Sequence, residues 1–161
     1  GPFGDRLAAW RGAALAGDGE LAPGLRSLSP SDFGFHNALA TPGGAPVFID
    51  FEYFGWDDPA KLVSDMLWHP GMNLADELGA RFRAGATELY AAGDAGFASR
   101  LARLHSLYAL RWCMIILNEF LPERWAVRAH AGAADRAQAK RRQLALAERM
   151  LARADQTRGT R

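Results

Sequence analysis

The chain has 161 residues, 49% of them apolar and 23% charged, a balance that fits one compact domain able to bury a core. Nineteen Lys and Arg against eighteen Asp and Glu leave a net charge of +1, which argues against a global field for nucleic acid or a membrane surface. The longest strictly apolar run, Trp112 to Leu117, has six residues, and a spanning helix needs roughly twenty.

No basic stretch followed by an apolar one opens the chain, so no secretory signal is visible and a cytoplasmic location is expected. The opening Gly1-Pro2 reads as a protease-cleavage scar. Residues 5–16 carry Leu7, Trp10, Ala14 and Leu15 at helical spacing, followed by a Gly- and Pro-containing link through Gly24. A short strand is expected over 25–28, then an ordered loop over 29–36. Two β-like runs, 37–41 and 46–50, flank Thr41-Pro42-Gly43-Gly44-Ala45, which predicts a hairpin. Beyond residue 58 the pattern is helical. Asp57 or Asp58 caps a helix with Pro59 in its first turn, running to about Trp68 and broken by Pro70-Gly71. Helices near 74–92, 95–120 and 133–154 follow, with breaks at Gly93 and Pro122. The expected class is therefore α+β, mainly α: a small β-hairpin with a loop, packed on a helical bundle.

The near-neutral total hides an uneven spread. Residues 32–65 hold six acids (Asp32, Asp50, Glu52, Asp57, Asp58, Asp65) against Lys61 alone, a charge of −5; residues 128–161 hold nine bases against three acids, +6. The basic run Lys140-Arg141-Arg142 reads as a solvated helix face. Cys113, the single cysteine, sits in the apolar run and reads as a small buried hydrophobe. The four histidines (His36, His69, His105, His130) have no i, i+4 pairing with one another and no HExxH pattern, so zinc chemistry is not expected. His36 reads as a packing or loop hydrogen-bonding residue. Trp68, Tyr108, Trp112 and Trp125 offer an aromatic box for a cation, although their helical spacing is also that of a core.

Chemistry concentrates in two segments, Ser29-Pro30-Ser31-Asp32-Phe33-Gly34-Phe35-His36-Asn37 and Val47-Phe48-Ile49-Asp50-Phe51-Glu52-Tyr53. An Asp followed five positions later by Asn, then a hairpin and a hydrophobic strand ending in Asp-Phe, is the arrangement that kinases use for phosphoryl transfer. The first Asp orients the acceptor hydroxyl, while the Asn and the strand-end Asp offer hard oxygens to Mg²⁺. With Gly55-Trp56-Asp57-Asp58-Pro59-Ala60-Lys61-Leu62-Val63-Ser64-Asp65, these segments resemble the aminoglycoside phosphotransferase and choline-kinase-like family, small-molecule kinases of protein-kinase-like fold.

The resemblance, carried by residues 29–65, implies that Asp32 is the catalytic aspartate and that Asn37 and Asp50 ligate Mg²⁺. It implies that Glu52 contacts substrate or a second metal, and that Asp65 braces the catalytic loop from beneath. Two departures stand out. Where the family usually places His, two residues before the aspartate, this chain has Pro30; and no glycine-rich loop, strand Lys or partner Glu precedes Asp32. Residues 1–161 are accordingly expected to be the C-terminal lobe of a longer ATP-dependent phosphotransferase acting on a hydroxyl of a small molecule such as an aminoglycoside, an amino alcohol or a sugar. Alone, the lobe is expected to be inactive, to lack its ATP-binding half, and to self-associate, with domain swapping as one route. Two other readings compete: a non-catalytic kinase-like or helical interaction module, and a haloacid-dehalogenase-like phosphatase. The latter wants a second Asp and then Thr or Val, where Glu52 and Phe54 stand.

Overall fold

The computed structural model describes residues 2–15, 19–130 and 135–159. Gly1, the 16–18 part of the link, the expected helix start at 133–134 and Arg161 of the basic segment lie outside the described residues. Helices α1 (Pro2–Leu15), α2 (Pro59–Trp68), α3 (Asp76–Ala91), α4 (Phe97–Ile116), α5 (Pro122–His130) and α6 (Arg136–Gly159) dominate. Among the described residues, four three-residue strands accompany them: β1 (Ser27–Ser29), β2 (Ala38–Ala40), β3 (Pro46–Phe48) and β4 (Gly55–Asp57). The fold is α+β and mainly α. It divides into two compact units, residues 1–108 and 109–161, the boundary falling inside α4.

In the first unit β2 and β3 form the expected antiparallel hairpin, with Ala38 opposite Phe48 and Ala40 opposite Pro46. The Gly44 amide donates to the Thr41 carbonyl at 2.9 Å, and Gly44 takes φ 79°, a conformation that glycine adopts without the clash a Cβ brings. A second antiparallel pair, β1 with β4, aligns Ser27 with Asp57 and Ser29 with Gly55. This pairing has no local signal, and the strand expected over 25–28 is displaced by it. Pro23–Leu25 forms a 3-10 turn, and the strand starts only at Ser27. The β1–β4 pair closes the whole segment between residues 29 and 55 into one excursion, tied at its base.

Helix α2 begins where Asp58 accepts the Ala60 amide at 2.8 Å and Pro59 sets the first turn. It buries Ala60, Val63, Ser64, Asp65, Met66 and Trp68. Ala60, Val63, Phe97 and Leu101 form a core cluster, against which Phe82, Ala86 and Tyr90 of α3 pack at four-residue spacing. Trp68, 2% exposed, donates its indole N–H to the His105 carbonyl at 2.9 Å, and His105 Nδ1 lies 3.1 Å from the Ser64 hydroxyl. Trp68 is thus a core residue with its polar edge satisfied. Asp58 doubles as a partner of Arg100, 2.8 Å away, which also holds Asp94 at 2.6 Å.

The second unit holds the end of α4, a 3-10 turn at Leu117–Phe120, α5 and α6. Pro122 starts α5, so a separate helix stands where only a break was expected. On α6, Ala147, Met150 and Ala154 are buried, and the Cys113 thiol donates to the Ala147 carbonyl at 3.6 Å. Lys140 lies over the Phe120 ring, 5.0 Å from its centroid, while Arg141 and Arg142 are exposed.

Candidate active site

The loop after β1 turns sharply at Ser31. Its φ is 62°, and the Asp32 amide donates back to the Pro30 carbonyl at 2.7 Å, closing a γ-turn around a non-glycine residue. Such a turn is strained, and strain of this kind persists where surrounding contacts over-determine it. Those contacts are present. The Ser31 amide donates to the buried Ser29 hydroxyl at 3.2 Å, and the Lys61 ammonium donates to the Ser31 hydroxyl at 3.2 Å. Phe33 packs on Phe48 of β3 with ring centroids 4.7 Å apart, joining the loop to the hairpin.

Asp32 and Asn37 come together. The Asn37 amide nitrogen donates to the Asp32 carbonyl at 3.0 Å and to its Oδ2 at 3.3 Å. With both donor hydrogens so engaged, the amide oxygen is the atom Asn37 offers to a hard cation. The Asn37 carbonyl in turn accepts the Ile49 amide at 2.9 Å, and Asp50 is the next residue along the chain. Asp50 is exposed and has φ 62°; β3 ends at Phe48, so the acid sits on a left-handed turn beyond the strand rather than at its last residue. Glu52 is exposed on the turn that follows. Asp65, almost fully buried, lies 3.5 Å from Lys61, which also pairs with Asp57 at 2.9 Å. Asp65 therefore reaches the loop through Lys61 and Ser31.

Four of the six carboxylates in the acid-rich stretch are paired within the chain. Lys61 is shared by Asp57 and Asp65, Arg100 takes Asp58, and Asp32 contacts His36. Charge counting alone pointed to a concentrated acidic centre; Asp50 and Glu52 are the two acids of the group that are exposed apart from these pairs.

Two histidines complete the site. His36 Nε2 lies 3.0 Å from Asp32 Oδ1, and the His69 ring stacks on His36 with centroids 4.0 Å apart and planes 4° apart. Asp32, His36 and His69 place three ligand atoms within 4.8 Å of one another, a spacing a cation could bridge. The ring geometry opposes it. An imidazole bonds a cation in its own plane at about 2.0–2.1 Å, and two stacked, parallel planes cannot both contain one ion at that distance. In addition, His69 Nδ1 accepts the Gly71 amide at 3.0 Å, which puts the proton of the neutral ring on Nε2. Burial and the neighbouring His36 lower the His69 pKa, and Asp32 only partly offsets them. The cluster as built is a carboxylate–imidazole hydrogen bond backed by a neutral ring.

Sequence spacing missed His69, Lys61 and Ser31 as parts of this site. His69 and His36 are far apart in the chain and meet because α2 ends at Trp68, leaving His69 at its cap. Comparison of the chain with protein-family models, with curated proteins and with solved structures returns no match.

Proposed function

We propose that this chain is the C-terminal, catalytic-loop-bearing part of an ATP-dependent phosphotransferase that phosphorylates a hydroxyl group of a small molecule. The observation that carries this reading is the Asn37 amide bonded to both the carbonyl and the carboxylate of Asp32, and support comes from Asp50 following Ile49, whose amide bonds the Asn37 carbonyl. Three oxygen-bearing groups suited to orienting a hydroxyl and holding Mg²⁺ share one tied loop. The strands pair antiparallel in both sheets, which favours this reading over a phosphatase built on parallel βαβ units.

In the proposed reaction Asp32 accepts a hydrogen bond from the acceptor hydroxyl and orients its oxygen. As that oxygen bonds to the γ-phosphorus of ATP, the bond to ADP breaks and the hydroxyl proton passes to the Asp32 carboxylate. Asn37 and Asp50 would hold Mg²⁺, which when bound neutralises charge on the phosphates. Glu52, exposed nearby in sequence, would serve substrate or a second metal, and Asp65 acts as support for the loop. ATP binding is assigned to a lobe outside residues 1–161, and the chain alone is expected to be inactive. The site chemistry suits a cytoplasmic enzyme, and no described helix is long and apolar enough to cross a membrane.

The test is ADP release by the full-length protein across a panel of aminoglycosides, amino alcohols and sugars. Asp32→Ala should lower turnover by orders of magnitude, on the order of 10²–10⁴ for a lost acid–base group, with the protein still folded. Near-wild-type turnover would refute the assignment.

A further inference from the structure

The position where the resembled family carries His is Pro30, yet Asp32 has an imidazole on it. We infer that His36, held in place by the stacked ring of His69, is a positioning residue for Asp32; the inference rests on the phosphotransferase reading above for what Asp32 then does.

Several independent contacts build this device. His36 Nε2, 3.0 Å from Asp32 Oδ1, must carry the proton, because a carboxylate only accepts. Asn37 holds the other oxygen, Oδ2, at 3.3 Å. The carboxylate is thus gripped at both ends, and its plane is fixed by two residues adjacent in sequence. Two such grips remove the rotational freedom that would otherwise have to be lost as the reaction proceeds.

His36 is itself confined. On one face lies His69, parallel and 4.0 Å away between centroids. Against Gly34, whose backbone is extended, a β-carbon would fall 2.5 Å from His36 Cε1 and 2.8 Å from Met72 Sδ. The ring therefore occupies the space that a side chain at position 34 would need. Met72 also accepts the Phe35 amide through its sulfur at 3.1 Å. His69 is oriented by the Gly71 amide on Nδ1 at 3.0 Å. Gly34, His69, Gly71 and Met72 thus define the pose of one imidazole, which in turn defines that of Asp32. The Met72 sulfur and, through His69, the Gly71 amide thus orient a loop nearly forty residues earlier in the chain.

The experiment uses the full-length protein, labelled with nitrogen-15 at histidine. Side-chain spectra should place the His36 proton on Nε2, shifted downfield, and the His69 proton on Nε2 with Nδ1 bare. Asp32→Ala should move the His36 Nε2 proton upfield. A His36 signal indifferent to Asp32→Ala overturns the inference without reference to activity. ADP release from Mg²⁺-ATP, with water as acceptor, is then measured for wild type, Asp32→Asn, His36→Leu, His36→Gln and His69→Leu. His36→Leu should lower kcat by about ten- to a hundredfold, the scale of a small misplacement of a reacting group, with KM for ATP unchanged. His36→Gln keeps an N–H of similar reach and should recover part of the loss. His69→Leu leaves the donor but removes its backing and should fall between the two; it also carries the test if His36→Leu does not fold. Loss of kcat in Asp32→Asn without loss in the His36 variants would sink the positioning role alone. Unchanged turnover in Asp32→Asn would sink the phosphotransferase reading, and the spectra would then judge the geometry by itself.

Discussion

The Lys61 ammonium lies 3.2 Å from the Ser31 hydroxyl while contacting the carboxylates of Asp57 and Asp65 at 2.9 and 3.5 Å. One cation therefore joins the first half of α2 to the strained residue that precedes Asp32. Asp65 is 3% exposed at its side chain, so removing the cation leaves an acid in a place with little water. Lys61→Met should destabilise the protein by about 3 kcal/mol, read as a shifted urea midpoint. Asp65→Asn added to Lys61→Met should recover part of that loss; strictly additive effects in the double-mutant cycle would contradict the coupling.

Arg100 links the cap of α2 to the turn before α4 by holding Asp58 and Asp94. Its hydrogen bond keeps the Asp94 carboxyl below the ordinary carboxylate range, against a smaller opposing effect of burial. A depressed acid contributes stability above its unfolded pKa, here about 3.8, and loses it as pH falls through the folded value. Melting temperature should therefore drop below about pH 4 more steeply in wild type than in Arg100→Gln, whose curve starts lower at pH 7. Parallel curves would show that the pair does not couple to folding.

Burial pushes the Cys113 thiol up to about 11, and its S–H points at the Ala147 carbonyl. At pH 7.5 almost none of it is thiolate, the reactive form. Alkylation by iodoacetamide should be slow in the native protein and fast in urea, with a rate that follows unfolding. Prompt labelling of the folded chain would place the sulfur at the surface instead.

Each small sheet turns an apolar cross-strand pair to solvent, Leu28 with Trp56 and Leu39 with Val47, and Phe35, Phe51, Tyr53 and Phe54 are exposed in the same segment. Exposed apolar surface of this amount favours association. Sedimentation of the 161-residue chain should show mass rising with concentration, and Trp56→Ser with Tyr53→Ser should reduce the rise. A monomer at all concentrations would contradict this.

The helices were legible because their signals are local. Asp58-Pro59 announces the start of α2, and the 60, 63, 66 spacing announces its buried face. The hairpin was legible in Thr41-Pro42-Gly43-Gly44-Ala45. By contrast β4, three residues long, is defined by a partner some thirty positions away, and no periodicity fits in Gly55-Trp56-Asp57. The Asp32–Asn37 spacing could be read as a loop; that one amide bonds both ends of Asp32 could not. His36 was legible as a packing or loop hydrogen-bonding residue; its stacking on His69 was not, because the two meet through the turn that follows α2. The acidic stretch misled because its neutralising arginine lies on α4, outside the stretch.

Phe35 needs the sulfur of Met72, thirty-seven positions later, and β1 needs β4. A ribosome delivers residues in order, so at roughly 5–20 residues per second the loop leaves the exit tunnel seconds before the partners that set it. During that interval a segment rich in Phe is bare, and a translational pause there would lengthen a chaperone's opportunity. Slow codons are thus best tolerated only after α2 and the turn beyond it have emerged.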